Sequence, residues 1–166
     1  LGHAHAYGSV IGRGPELAIQ TVEEFLGIRV DHYVRIHYDG FREIVDALGG
    51  ITLEVEPSMV DRLGLEAGPQ QLSGEQALNY VRFRGDADGD FGRQRRTQLF
   101  LQELARQVLD RFPREELPGL TLRLMGKVHT DLDAAAGLSA VRYFVEGGET
   151  PTFRGTSLPG SPLWER

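Results

Sequence analysis

The chain has 166 residues, of which 40% are hydrophobic, and this length and composition predict one domain with an ordinary core over residues 1–166. The absence of cysteine excludes a disulfide scaffold, a cysteine-ligated zinc site and a thiol nucleophile. The net charge of -6 argues against a general nucleic-acid-binding protein, because such a protein needs a basic face to displace counterions from phosphates. No stretch approaches the roughly 20 apolar residues of a membrane-spanning helix.

The first third of the chain alternates between predicted helices and strands. Pro15 at a first helical position and Gly27 as a stop signal delimit the first helix. Two alternating stretches predict strands, and the first of them places His32, Val34 and Ile36 on its buried face. The predicted elements are a helix over 15–26, a strand over 31–37, a helix capped by Asp39 and running to Leu48 before Gly49-Gly50, and a strand over 51–55.

The remaining chain is predicted to be mostly helical. Ser73 and Gln76 have the spacing of a capping box, which opens a helix. Strands interleaved with helices predict a single layered α/β or α/β/α domain. The predicted elements are a long loop over 57–74, a helix from Ser73 through Tyr80, an extended stretch over 81–84, a loop over 86–92, a long helix from Phe91 or Gly92 to Phe112, helices over 119–129 and 133–145, a break at Gly147-Gly148 and a strand over 150–158.

Five of the 18 basic residues lie between positions 82 and 96, and all five are arginines. If residues 81–84 are extended, Arg82 and Arg84 project from one face about 7 Å apart, so both can reach one diphosphate. The core-facing stripe of the long helix consists of Phe100, Leu104 and Val108. Toward the helix N-terminus, the positions of the same stripe are occupied by Thr97 and arginines. That helix end also favours anions through its dipole and backbone N–H groups.

Other interpretations of this segment and of the histidines stay open. The arginines are equally expected to pair with Asp86, Asp88 and Asp90 in a solvated network. These aspartates have the spacing of a calcium loop, but glycine and glutamate are missing at the positions where that loop requires them. His3 and His5 form a pair without a nearby carboxylate, so no metal ligand is predicted in this chain.

Six segments together resemble the LytR-CpsA-Psr family of bacterial cell-envelope proteins. The resemblance covers about residues 3–109 in the family's order, and its motifs are highly specific. The segments are HAHAYG at 3–8, DHYV at 31–34, GF at 40–41 with VDALGG at 45–50, LSGEQAL at 72–78, YVRFR at 80–84, and DFGR at 90–93 followed by Arg96.

The resemblance implies a fold, a ligand and a reaction. Members of the family have an α/β/α domain that binds a polyprenyl-pyrophosphate lipid, with the lipid tail in an apolar tunnel and the pyrophosphate on arginines. They are taken to transfer a lipid-linked glycopolymer, such as teichoic acid or capsule, onto peptidoglycan, which is a phosphotransferase reaction. Arg82, Arg84 and Arg93 match the pyrophosphate-binding and catalytic positions, and Asp90 matches an acidic position that orients Arg93 or acts as a base.

The chain also departs from the family pattern. The family usually has glutamine four residues after the arginine that matches Arg93, whereas this chain has Thr97 there and Gln98 beside it; with Arg96 they complete the expected substrate-binding set. The family's first strands, its magnesium-binding aspartates and its membrane anchor lie upstream of the segment where this sequence begins. The resemblance therefore implies magnesium as a cofactor whose ligands are outside this sequence.

Three functional hypotheses follow from the resemblance. The first is a glycopolymer phosphotransferase at the extracytoplasmic face of the bacterial cell membrane, in the cell envelope, with peptidoglycan as acceptor. The second is a non-catalytic polyprenyl-phosphate binding module. The third is a transcriptional regulator or attenuator, a label attached to the family, which the net charge and the absence of a basic recognition helix disfavour because the chain is not expected to bind nucleic acid.

Overall fold

The structure, a computed structural model, describes residues 6–7, 9–10, 12–85 and 89–146. Two short 3₁₀ helices span Pro57–Met59 and Arg114–Glu116. The main elements in chain order are α1 (Gly14–Leu26), β1 (Val34–Arg35), α2 (Tyr38–Ala47), β2 (Ile51–Val55), α3 (Val60–Leu63), β3 (Gly68–Leu72), α4 (Gly74–Arg82), α5 (Gly89–Arg111), α6 (Leu117–Met125), β4 (His129–Thr130) and α7 (Ala134–Glu146).

Helices dominate this part of the chain, and the strands form two small antiparallel sheets. β1 pairs with β4, and β2 pairs with β3 in the register Ile51↔Leu72 to Val55↔Gly68. The predicted α/β class is confirmed. The predicted strand over 150–158 and the break at Gly147-Gly148 lie outside the described residues.

Four predicted helices are confirmed because their local signals are strong. α1 ends at Gly27, whose φ of 63° is the left-handed conformation that glycine adopts without a Cβ penalty. The capping box opens α4: Ser73 Oγ accepts from the Gln76 N–H, and Gln76 Oε1 accepts from the Ser73 N–H. Asp133 caps α7 by accepting from the Ala136 N–H at 2.7 Å. α5 begins at Gly89, so the loop predicted over 86–92 is wrong for 89–92, and residues 86–88 lie outside the described part.

The long loop predicted over 57–74 is wrong. It contains α3 and all of β3, whose sequence GPQQL has no hydrophobic alternation. Pairing along the whole length of β2 stabilises β3, and Leu72 is fully buried opposite Ile51. Tertiary pairing therefore overrides a segment with weak intrinsic strand propensity.

The strand predicted over 31–37 is reduced to the two residues of β1, and its predicted buried face is exposed. Val34 is 57% and Ile36 44% exposed. Its partner β4 supplies only two residues, His129 and Thr130. The helix predicted over 119–129 ends earlier than predicted, at Met125, before this strand begins. Asp131 and Thr130 extend this sheet through side chains: Asp131 Oδ1 accepts from the Tyr33 N–H at 2.9 Å, and Thr130 Oγ1 donates to the Tyr33 carbonyl.

The predicted cap of α2 is also wrong. His37 occupies the N-cap position without a side-chain hydrogen bond, and Asp39 lies inside the first turn, where it pairs with Arg42. Gly49 and Gly50 end the helix as predicted, with φ values of 79° and 83°. The Arg42 guanidinium also binds Glu75 of α4 at 2.7 Å, so it links the first turns of the two helices.

The core lies between α2, α4, α5 and the β2–β3 sheet. The predicted inward stripe of α5 is confirmed, since Phe100 is buried and Leu104 packs against both core clusters. The main cluster consists of Val45, Ile51, Leu53, Val55, Met59, Leu65, Leu72, Ala77, Tyr80, Phe83 and Phe100; the second contains Leu48, Leu117 and Leu120.

Side chains of α5 tie the helix to the free edge of β2. Gln107 accepts from the Thr52 N–H at 2.9 Å and donates to the Thr52 carbonyl at 2.7 Å, as a neighbouring strand would do. Arg111 donates to the carbonyls of Leu48 and Gly50 at the start of β2. These bonds fix the C-terminal half of the helix whose N-terminal half carries the arginines. None of the described helices is long and apolar enough to cross a membrane.

Candidate functional site

The arginine segment begins at the end of α4. Val81 and Arg82 are helical, so the prediction that residues 81–84 are all extended is wrong. The helix continues because Val81 packs against the main core cluster, and the chain turns extended only at Phe83, with ψ of 135°. Phe83 is buried, whereas Arg82 and Arg84 on either side of it are exposed. The two exposed arginines therefore lie on either side of one buried residue, Phe83.

Arg96 joins α5 to this segment from inside the protein. Its side chain is fully buried, its Nη2 donates to the Phe83 carbonyl at 2.7 Å, and its guanidinium lies 5.3 Å from the centre of the Phe83 ring. A charge-assisted bond of this kind is short and strong. In this structure Arg96 fixes the backbone between Arg82 and Arg84, and its side chain has no surface exposed to solvent.

The guanidinium of Arg82 lies over the ring of Tyr38, 4.4 Å from the ring centre. Tyr38 is the first residue of α2, so this contact joins the start of one helix to the end of another. Within the part of the chain that the structure describes, the Arg82 side chain takes part in no hydrogen bond or ion pair. Its N–H donors are therefore available to an anion.

The other predicted site residues lie on the first turns of α5. Arg93 is half-buried, and its carbonyl accepts a hydrogen bond at 3.0 Å from the Thr97 hydroxyl. The Thr97 donor is thus used within the helix. Gln98 is half-buried. The side chain of Asp90 lies outside the described residues, as do Asp86 and Asp88, so the predicted aspartate–arginine network also lies outside them.

Arg95 differs from its neighbours because it faces solvent on the other side of the helix. Its side chain is 52% exposed, and Nη2 lies 3.4 Å from Glu56 Oε1. Near it, Tyr80 donates from its hydroxyl to the Glu54 carbonyl at 3.2 Å. Burial, followed by the charge of Glu56, raises the pKa of Tyr80, so the phenol keeps its proton and serves as a fixed donor.

Tyr38 is the residue that sequence reasoning missed. Only the packing of α2 against α4 brings it to Arg82, which is 44 positions later in the chain. Two local signals accompany the packing. Asp46 accepts from the Gly74 N–H at 2.7 Å, and a Cβ at Gly74 would collide with the Arg42 backbone, so only glycine permits this approach.

A metal site does not emerge from these residues. Across the described residues, no group of three or more histidine, aspartate or glutamate side chains is close enough to hold an ion. The side chains of the described residues therefore do not form a site that fits the magnesium implied by the resemblance.

Comparison with known proteins identifies the family. The LytR_cpsA_psr family model matches residues 1–164. The chain belongs to the LytR-CpsA-Psr family. It is 36% identical over 123 residues to the regulatory protein MsrR of Staphylococcus aureus (strain COL), covering 72% of this chain and 38% of MsrR. It is 41% identical over 113 residues to the polyisoprenyl-teichoic acid–peptidoglycan teichoic acid transferase TagU of Enterococcus faecalis (strain ATCC 700802 / V583), covering 66% of this chain and 35% of TagU.

Solved structures of the family share the fold. The Bacillus subtilis TagV structure superposes with a TM-score of 0.66 at 30% identity, covering 80% of this chain and 53% of TagV. TagT bound to LI-WTA gives a TM-score of 0.66 at 27% identity, covering 86% of this chain and 53% of TagT. This family member thus spans little more than a third of the length of MsrR and TagU, and about half of the solved chains.

Proposed function

We propose that the chain binds the pyrophosphate of a polyprenyl-linked glycopolymer and serves its transfer to peptidoglycan in the cell envelope. One observation carries the proposal: the exposed Arg82 guanidinium is held over a ring while its N–H donors stay unused within the described residues. The name of the relative TagU, a teichoic acid transferase, and the complex of TagT with LI-WTA support a glycopolymer as substrate. The proposed site of action is the extracytoplasmic face of the cell membrane.

In the proposed reaction, a hydroxyl oxygen of peptidoglycan attacks the phosphorus that carries the glycopolymer. A phosphodiester forms, the bond to the bridging oxygen of the pyrophosphate breaks, and polyprenyl phosphate leaves. The hydroxyl proton passes to a base, a role that Asp90 fills unless it orients Arg93 instead. Negative charge builds up on the leaving phosphate, and positive groups that are already in place lower this barrier most effectively.

The proposed role of each arginine depends on how exposed its side chain is. Arg82, Arg84 and Arg93 contact the pyrophosphate, whereas buried Arg96 holds the Phe83 carbonyl and so places Arg82 and Arg84. Thr97 and Gln98 border the site on α5. Magnesium is proposed as a cofactor of the reaction, and the steps assigned to the residues of this chain do not involve it.

The test is binding of farnesyl pyrophosphate, a soluble polyprenyl pyrophosphate, measured by calorimetry. A charge-assisted hydrogen bond contributes about 1.5 to 3 kcal/mol, so each of R82A, R84A and R93A should weaken binding roughly 10- to 100-fold. Lysine at position 82 or 84 keeps the charge but loses the bidentate geometry, so binding should still fall. Stability to urea should change much less than binding.

Arg95→Ala is the matched control, since Arg95 lies on the same helix, is 52% exposed and pairs with Glu56 at the surface. Its removal should leave binding within about twofold. If R95A weakens binding as much as R82A, the effect is diffuse charge and the residue assignment fails. If the arginine variants lose stability and keep their affinity, the arginines are structural.

A further inference from the structure

Arg82 and Tyr38 belong to two helices, α2 and α4, that pack against each other. The α2–α4 contact is tight, because the Arg42 guanidinium binds Glu75 at 2.7 Å and Asp46 accepts from the Gly74 N–H at 2.7 Å. The end of α4 is fixed as well, since the Phe83 N–H donates to the Tyr80 carbonyl and the Phe83 carbonyl accepts from Arg96. The two backbones that carry the aromatic ring and the cation are therefore held independently of each other's side chains.

The ring contact orients the guanidinium without consuming its donors. A guanidinium is planar, and its five N–H bonds lie in that plane, whereas the attraction to an aromatic ring acts through the face of the ring. An arginine over a tyrosine ring therefore keeps its bidentate fork for an anion. Holding the side chain in advance also reduces the rotamer entropy that the arginine loses on binding.

Tyr38 contributes little to the packing of the core. Its side chain is 57% exposed and it belongs to neither core cluster. In the part of the chain that is described, its one side-chain interaction is the contact with Arg82. An exposed aromatic residue whose only described partner is an unengaged cation fits a functional role better than a packing role.

We infer that Tyr38 is a positioning residue, which holds the Arg82 guanidinium in the orientation that receives the pyrophosphate. The inference rests on the proposed function and adds a residue to its site. It makes a specific prediction: an aromatic ring at position 38 matters for binding only when Arg82 is present. The tyrosine hydroxyl is dispensable, because the ring face makes the contact.

The experiment is a double-mutant cycle on Tyr38 and Arg82, with farnesyl pyrophosphate as the probe and calorimetry as the readout. We expect Y38L to weaken binding by about two- to fivefold, the range of an exposed cation–π contact. Tyr38→Phe should restore wild-type affinity. In the R82M background, adding Y38L should change affinity by less than the measurement error, because no guanidinium remains to be oriented.

A matched aromatic control is Phe25→Leu, since Phe25 is 81% exposed on α1 and makes no described contact with an arginine. It should not change affinity, and the urea unfolding midpoints of Y38L and F25L should both match wild type. The inference is overturned if Y38L binds like wild type, if Y38F is as weak as Y38L, or if Y38L weakens binding equally with and without Arg82. Absence of binding by the unmodified chain, or full binding by R82M, overturns the proposed function itself.

Discussion

Replacing Gln107 by leucine removes the side chain that acts as a neighbouring strand for β2. Four hydrogen bonds are lost: two with the Thr52 backbone, one from Arg111 Nη2 at 3.1 Å and one to Glu103 at 3.3 Å. Gln107 is only 7% exposed, so leucine fills similar space and the apolar packing is nearly preserved. The Thr52 N–H and carbonyl, however, lose their partner.

A buried backbone group that is left without a partner costs about 1 to 3 kcal/mol. Thr52 is half-buried, so water reaches its backbone in part, and the lower half of that range applies to each of its two groups. The expected loss is therefore about 2 to 4 kcal/mol of unfolding free energy. For a domain of ordinary stability this is a substantial fraction of the total.

Urea unfolding followed by circular dichroism measures this loss as a lower midpoint with an unchanged slope. Gln94→Leu is the matched control, because Gln94 is an exposed residue of the same helix and should change stability by less than about 0.5 kcal/mol. An unfolding free energy of Q107L within 0.5 kcal/mol of wild type would refute the reasoning. Water would then satisfy the edge of β2, and Gln107 would not anchor α5.

Two further predictions concern a cap and a titrating group. Ser73→Ala removes the hydroxyl that accepts from the Gln76 N–H and should cost about 1 kcal/mol by urea unfolding, whereas Ser73→Asp keeps an acceptor and should cost much less; equal losses would contradict the cap. The Tyr33 N–H lowers the pKa of Asp131 below its usual 3.8, so this carboxylate contributes stability above that pH, and the contribution is lost as pH falls through the lowered folded pKa. The stability difference between wild type and D131N should therefore shrink as the pH is taken from 6 to below about 3. A difference that stays constant over that range would show that Asp131 does not titrate with folding.

Local signals were sufficient for much of the helical fold. The capping box at Ser73, the glycine stop at Gly27 and the stripe that includes Phe100 all act within one or two helical turns, so the sequence displays them directly. β3 shows the limit of this reasoning. Its residues carry no strand pattern, and it is stabilised by pairing with β2, from Val55 opposite Gly68 to Ile51 opposite Leu72. The sequence separation within these pairs ranges from 13 to 21, which a local pattern cannot register.

The wrong prediction that one face of β1 is buried has a different cause. Val34 and Ile36 alternate with polar residues as a buried strand face does, and the alternation alone predicted burial. Alternation shows that a face is apolar, but an element must pack against it before it is buried, and β4 supplies only a two-residue edge contact among the described elements. A hydrophobic alternation can thus identify the apolar face of a strand correctly even where no described element packs against that face.

The site illustrates the same division between residue type and placement. Clustered arginines indicated an anion, and charge alone was enough for that step, because 5 of 18 basic residues within 15 positions is a strong local bias. Charge alone could not distinguish exposed Arg82 from fully buried Arg96, although Arg96 lies four residues before Phe100 on the inward stripe of α5. Helix packing separates them: α5 turns Arg96 toward the Phe83 carbonyl, and α2 brings Tyr38 under Arg82. The cation available to a ligand is thus defined by its neighbours in space, and a change at Tyr38 tests the site more specifically than removal of any one charge.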